Sequence, residues 1–364
     1  MKNFFKNYNA GPVLFLITYQ VVLVAALPFY LFFCSPAATL WAAAVILFCC
    51  GGLSITFGYH RLFSHKAFKA HPIVETIALF FGSMTFQGSC LRWSYEHRIH
   101  HAHVDTDLDP YSIKKGFWYA HCLWLINKPQ TIENRVVADL LKNPRVMWQH
   151  KYGKLAMIGS NVLVVAALAL LTGDLLGSLL IPFGLRLFMN HHTTWFINSL
   201  AHTWGAKEFC NELSAVDNFV ISLLTFGEGY HNYHHTFSQD YRNGIRWYHF
   251  DPTKWLIWTL SKLHLANNLR RVDTILIKKK IIREKTEVFV QQLDDRFAVY
   301  RDDLRSLADR ICDQLGELAK AQKNFSGSRE LRQHIRECRK SLKKQMRRWK
   351  LTIRFLQKTA QVTA

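Results

Sequence analysis

Apolar side chains follow one another almost without interruption from position 11 to 33, and again from 37 to 59. At about 1.5 Å of rise per residue, either run as a helix can cross a hydrocarbon core of roughly 30 Å, so each predicts a transmembrane span. Residues 155–171 and 175–200 predict a second pair, turned by Thr172, Gly173 and Asp174. The run at 73–90 is shorter and carries Glu75, Gln87 and Gly88, which reads as a re-entrant or interfacial segment. Four spans return both termini to one side. The cations Lys2, Lys6 and Arg61 place that side in the cytoplasm.

Past residue 268 the pattern changes. A heptad-like series runs through Val290, Leu293, Phe297, Tyr300, Leu304, Leu307 and Ile311, and a second through Ile335, Leu342, Met346, Trp349, Ile353 and Leu356, with a break at 324–328. These predict a helical hairpin or a coiled-coil extension. The expected fold is therefore an all-α integral membrane protein with four transmembrane helices and a cytoplasmic helical domain in residues 1–268. Residues 269–364 form a basic amphipathic C-terminal extension.

Charge sharpens this division. Of 364 residues, 46 are Lys or Arg and 26 are Asp or Glu, a net +20. Residues 329–364 hold twelve of the cations and two Glu, so half of the excess lies in that end. It predicts a protein partner or an anionic membrane surface, whereas nucleic-acid binding lacks any base-reading motif. The eight cysteines are scattered without a CxxC pair, which supports neither a cysteine metal site nor a disulfide framework.

Histidine is the polar residue that the apolar frame does not explain. His60 and His65 follow the second run; His97, His100 and His101 follow the third; His202 follows Asn198; and His231, His234 and His235 cluster last. Residues three or four apart share a helix face, so the last three groups each converge. His60 and His65 are five apart, roughly 140° on an α-helix, and suit two centres better than one. Nine imidazoles exceed what one tetrahedral zinc needs. A thiolate-free set suits iron, with zinc, copper or nickel as rivals, and two metals are the expectation. Asp105, Asp107 and Asp109 precede Pro110 and read as solvated turn residues.

The segments His60-Arg61-Leu62-Phe63-Ser64-His65, Glu96-His97-Arg98-Ile99-His100-His101 and Gly227-Glu228-Gly229-Tyr230-His231-Asn232-Tyr233-His234-His235 resemble the histidine boxes of membrane acyl-CoA delta-9 (stearoyl-CoA) desaturases. The segment Asn198-Ser199-Leu200-Ala201-His202 resembles their additional ligand segment. The resemblance covers about residues 11–268 and implies two iron ions handling O₂. It places His60, His97, His101 and His234 on one iron with Asn198 acting through a water, and His65, His100, His202, His231 and His235 on the other. Glu96, Asp217 and Glu228 are candidates to orient the ligand rings.

Successive methylenes are chemically alike, so choosing one requires an apolar tunnel measured from an anchored head group. Gln87 and Trp195 are candidate walls. Lys114 and Lys115, before Gly116-Phe117, match a basic pair of the family and are candidates for holding a thioester-linked phosphate carrier. The implied reaction is O₂-dependent formation of a cis double bond in a long-chain acyl-CoA. Its electrons are expected from a separate ferredoxin or cytochrome with its reductase. The expected location is a bacterial inner membrane, with lipids as neighbours and the site in the cytoplasm. A di-iron lipid hydroxylase and a non-enzymatic membrane metal-binding or assembly protein are the alternatives.

Overall fold

The computed structural model describes residues 8–323 and 328–360. Lys2, Lys6 and most of the expected break at 324–328 lie outside them. Among the described residues the protein is all-α apart from one pair of two-residue strands, β1 (Lys69–Ala70) and β2 (Ala266–Asn267). It folds as two units, one of residues 1–206 and 213–271, the other of 207–212 and 272–364.

In the first unit three helices are long and apolar enough to cross a membrane. They are α1 (Ala10–Phe33), α2 (Ala38–Leu53) with its continuation to Ser64, and α7 (Gly153–Thr172). Leu14, Phe32 and Leu170 are largely exposed, as expected of side chains that face lipid and not water. Gly173, at φ 70°, ends α7 in the left-handed conformation that closes helices, and Asp174 then caps α8 (Leu175–Ser178). The fourth apolar run is one winding path of three pieces: α8, a π-helical segment from Leu179 to Leu185 that contains Pro182, and α9 (Arg186–Ser199). Proline removes a backbone donor, and the wider winding absorbs the loss.

The end of α2 departs from α geometry in the same way. Residues Ser54–Ser64 form a π-helix whose side chains are all buried. The short helix α3 (Pro72–Met84) packs on this segment and on α7, too short by itself to cross a bilayer. The helix α4 (Cys90–Ala102), capped by the Ser89 side chain, lies against it as well. Arg98 fixes that packing, donating to Phe63 O at 2.7 Å, Ser64 O at 3.0 Å and Asp139 Oδ1 at 2.7 Å. These bonds occupy carbonyls that the end of a helix leaves without intrahelical partners. Burial raises the Asp139 carboxyl, but Arg98 and Lys66 outweigh it and hold the group down at about 2.

Short helices α5 (Phe117–His121) and α6 (Pro144–Lys151) follow, then α9 and α10 (Phe219–Leu224) lead to α11 (His231–Thr236), and α12 (Pro252–Lys262) closes the unit. The first core gathers Tyr59, Phe63, Leu79, Leu91, Tyr95 and Ile257, four of them from the segments that carry His60, His97, His100 and His101.

The second unit is a bundle of three helices: α13 (Thr274–Gln291), α14 (Ala298–Lys323) and α15 (Arg329–Ala360). Phe289, Leu304, Ile311, Trp349 and Leu356 form its core, and Trp349 Nε1 donates to Thr286 Oγ1 at 3.0 Å. The apolar series beginning at Val290 therefore belongs to two helices and not one. Asp294 breaks it, its side chain accepting the Arg296 amide at 3.0 Å.

Candidate metal centre and adjoining cavity

The nine histidines form two groups, each with nitrogen atoms within 4.8 Å of one another. The first holds His60, His65, His97, His101 and His234; the second holds His100, His202, His231 and His235. On α4 the i,i+4 pair His97 and His101 serves the first group, and the intervening His100 serves the second. Helix α11 reverses the assignment: His231 and His235 serve the second group and His234 the first. Two short helices thus share their histidines between two centres, because the residue between an i,i+4 pair points off to one side.

His65 differs from its expected placement, lying with His60 and not across from it. The physical reason is the π-helix. His65 N donates to His60 O at 3.1 Å, a bond spanning five residues, and in this wider turn positions five apart come close to alignment. The His60 and His65 ring centroids are 4.8 Å apart.

The donor set fits a metal by its spacing. Nε2 atoms of His60 and His234 lie 3.0 Å apart, those of His65 and His97 2.8 Å, and those of His101 and His234 3.1 Å. Two nitrogens each about 2.1 Å from a shared ion lie about 3.0 Å apart at right angles and about 3.4 Å apart at the tetrahedral angle. The first group's spacing, 2.8–3.1 Å, suits nitrogens that share one ion. In the second group the corresponding distances are 3.0 Å for His231 and His235 and 3.3 Å for His100 and His235.

Protonation agrees with this. Burial, reinforced by neighbouring imidazoles, holds His65, His97, His101, His231, His234 and His235 well below the usual histidine range, so their rings are neutral lone-pair donors. Their partners fix which nitrogen faces inward. His60 Nδ1 meets Glu228 Oε2 at 2.9 Å, and His100 Nδ1 meets Asp109 Oδ1 at 2.8 Å. A carboxylate accepts the Nδ1 proton and leaves Nε2 with its lone pair toward the centre. His97 Nδ1 meets the Tyr111 hydroxyl at 3.2 Å, and His202 Nδ1 meets Ser214 Oγ at 2.6 Å, which in turn donates to Asp105.

Behind His60 is a buried charge cluster. Arg61 donates to Glu228 Oε1 at 2.9 Å and pairs with Asp251 Oδ1 at 3.0 Å, and Asn243 donates to Glu228 Oε2 at 2.6 Å. Burial would raise Glu228, but the charges of Arg61 and His60 prevail and hold its carboxyl below the ordinary range. Gly227, at φ 99°, brings the chain into this cluster where an added Cβ would meet Asp251 at 2.6 Å.

The other expected residues take different places. Asp217 Oδ1 accepts the Tyr233 amide at 3.1 Å and anchors α11. Glu96 faces the cavity, with burial pushing its carboxyl up to about 7 against the pull of Arg92. Asp109 corrects the reading of a solvated turn: it is 1% exposed and holds His100. Nothing in its spacing from His100 marks it, because the contact is made by a turn folding back nine positions on. Arg61, Asp251, Tyr111, Ser214 and Trp93 were likewise not legible as site residues.

A cavity of about 710 Å³ abuts the first group, with His60, His97, Asn198 and Trp195 in its wall. Phe15, Leu16, Ile55, Phe86, Met157 and Ile158 supply apolar surface. Gln87 is fixed between Thr194, to which it donates at 2.9 Å, and Trp93, which donates to it at 3.3 Å. Trp93 also stacks on His97 with centroids 5.0 Å apart. Four cations, Arg92, Lys115, Lys128 and Lys154, line the same cavity, whereas Lys114 is exposed and outside that lining.

Long apolar helices and two buried histidine clusters able to coordinate metal ions define an integral membrane protein with a metal-type centre. The model of the family "Fatty acid desaturase" matches residues 12–267, and the chain belongs to that family. It is 43% identical over 248 residues to a "Probable acyl-CoA desaturase" of Schizosaccharomyces pombe, covering 67% of this chain and 52% of that protein. It is 36% identical over 245 residues to "Acyl-CoA desaturase 1" of Saccharomyces cerevisiae, covering 66% and 48%. A "sn-2 palmitoyl-lipid 9-desaturase" of Nostoc is 37% identical over 227 residues, covering 60% and 77%. The chain thus spans about half the length of the two yeast relatives.

Proposed function

We propose that this protein is an O₂-dependent desaturase that forms a cis double bond in a saturated long-chain acyl-CoA, at carbons 9 and 10. The observation that carries the reading is the apolar cavity running up to the first histidine group. Iron held by the two groups would supply the oxidising chemistry with O₂, which no side chain can provide. His60, His65, His97, His101 and His234 would hold one ion; His100, His202, His231 and His235 would hold the other. Asn198, one helical turn before His202, would act through a water. Two hydrogens leave adjacent methylenes, and with two electrons and two protons from outside they reduce O₂ to two waters. A separate ferredoxin or cytochrome with its reductase would supply the electrons, steered by the basic surface.

The residues of the chain do the rest. Glu228 and Asp109 hold the His60 and His100 rings in one tautomer. Trp93, Gln87 and Trp195 shape the wall beside the first group and exclude water from it. Arg92 and Lys115 give the head group a cationic anchor, which favours a phosphate-bearing thioester carrier over a glycerolipid, although the Nostoc relative's name denotes a lipid substrate. We count residues 175–199 as a fourth span, which puts both termini and the site on the cytoplasmic side. Residues 1–268 would be the desaturase domain and 269–364 its extension.

The test is product mass spectrometry with double-bond localisation, using iron-loaded protein, saturated acyl-CoA, O₂ and an electron donor. The expected product is lighter by two hydrogens and unsaturated between carbons 9 and 10; an added oxygen would instead establish a hydroxylase. Because Lys115 lines the cavity and Lys114 does not, Lys115→Ala is expected to raise KM for acyl-CoA about tenfold, with Lys114→Ala changing it far less. Equal KM values for the two variants would remove Lys115 from the carrier site.

A further inference from the structure

Charge in the second unit is sorted by helix. Helix α14 carries five acidic and five basic residues, so it is neutral overall. Helix α15 carries twelve basic residues and two glutamates, and every one of the twelve is exposed. Most of the apolar side of α15 is already used, Leu351 and Phe355 being exposed. Ile335, Trp349 and Leu356 are buried in the unit, with Leu342, Met346 and Ile353 partly so.

The cations of α15 are not spread around the rest of its circumference. At 3.6 residues per turn, Arg336, Lys340, Lys343, Arg347, Lys350 and Arg354 fall within an arc of roughly 80° over a length of about 27 Å. Arg348, on the flank, reaches Asp303 at 3.8 Å. Among the described residues none of the six in the stripe has an ion pair. Six like charges in line repel one another, and a folded helix holds them there without compensation from its own unit. Such a stripe is complementary to an extended or planar anionic surface.

We propose that this stripe docks on the anionic lipid headgroups of the membrane that the same chain spans. Three features favour a bilayer as the occupant. The first unit contains three membrane-crossing helices, so the second is tethered to a bilayer through the peptide link at 271–272 and meets it at high effective concentration. A straight row of cations matches a plane of headgroups, where each Lys or Arg gains within a Debye length of the surface. Most of the apolar side chains of α15 are buried in the bundle, and only Leu351 and Phe355 stand exposed beside the stripe, so contact is carried mainly by charge and not by insertion of an amphipathic helix. The inference stands independently of the acyl chemistry.

Lysine acylation measured by mass spectrometry on the full chain in lipid nanodiscs tests it. One disc contains only zwitterionic phosphatidylcholine; the other contains about 30 mol% phosphatidylglycerol. Lys340, Lys343 and Lys350 are the reporters, and the exposed Lys320 and Lys323 of α14 correct for any change in surface pH. The reporters are expected to label at least about fivefold more slowly on the anionic disc, and to recover in about 1 M NaCl. In the variant R336Q/R347Q/R354Q, which keeps the three reporters, most of that protection is expected to disappear. Equal labelling on the two discs would overturn the proposal, as would full protection retained in the variant. Protection that arises on both discs only when an acidic soluble redox protein is added would overturn it in favour of a protein partner.

Discussion

Replacing His97 by alanine is expected to lower turnover by more than about 100-fold, and replacing His235 to do the same. The two residues lie in different groups, so the shared result would show that neither centre suffices alone. His97 has its Nε2 2.8 Å from that of His65, lines the cavity and supports Trp93 by stacking. Its loss removes one of five nitrogens from the first group and leaves the four of the second. Iron in the purified variant should fall toward half the wild-type content, with one Mössbauer subspectrum lost and the other kept. His65→Ala should deplete the same subspectrum as His97→Ala, because the π-helix places His65 beside His60; His235→Ala should deplete the other. If His65→Ala and His235→Ala removed the same subspectrum, the grouping would be wrong. Unchanged turnover of His97→Ala at saturating substrate would remove the centre from the chemistry altogether.

The disagreement over His65 shows which parts of the site a sequence can carry. The convergence of His97 with His101, and of His231 with His235, follows from α-helical spacing, and α4 and α11 are α-helices. The same arithmetic applied to His60 and His65 gave separate centres because it assumed α winding where Ser54–Ser64 winds as a π-helix. No periodicity reveals that change, and the segment that makes it is packed against α3 and α4. Asp109 was obscured for a related reason. A turn composition of Asp and Pro predicts solvent, and only tertiary folding buries the carboxylate on His100. Glu228 was nameable as a candidate to orient a ligand ring, but the ring it meets is that of His60, far earlier in the chain. The apolar runs were legible as spans where continuous, in α1, α2 and α7, and less so at 175–199, where Pro182 divides the helix into pieces. In the second unit the heptad spacing marked most of the buried apolar positions, Tyr300 being exposed, while the turn at Asp294 made three helices of them.

Arg61→Leu is expected to be the most destabilising single change in the cluster behind the first group. Arg61 is 1% exposed and lies between Glu228, also 1%, and Asp251, at 0%. Its Nη1 further donates to Tyr241 O at 2.8 Å, so it joins the end of α2 to three separate segments. Leucine fills part of the volume but leaves two carboxylates buried near each other without a cation. Removing one partner from such a cluster costs about 3–5 kcal/mol, far more than the cluster contributes over an apolar replacement. For a protein of this size the melting temperature should drop by roughly 4–7 °C. Arg61→Lys should recover only part of the loss, because one ammonium cannot reproduce the guanidinium's simultaneous bonds to Glu228, Asp251 and the Tyr241 carbonyl. The metal centre should respond unevenly. Glu228 also receives the His60 Nδ1 proton, so a displaced Glu228 frees the His60 ring to turn and weakens the five-histidine group before the four-histidine group, whose His100 is held by Asp109. Thermal unfolding read alongside the two Mössbauer subspectra separates these effects. A lowered melting temperature with both subspectra depleted equally would mean that Arg61 only holds the fold, whereas selective loss of the His60 group's signal would show that it also positions the ligand through Glu228.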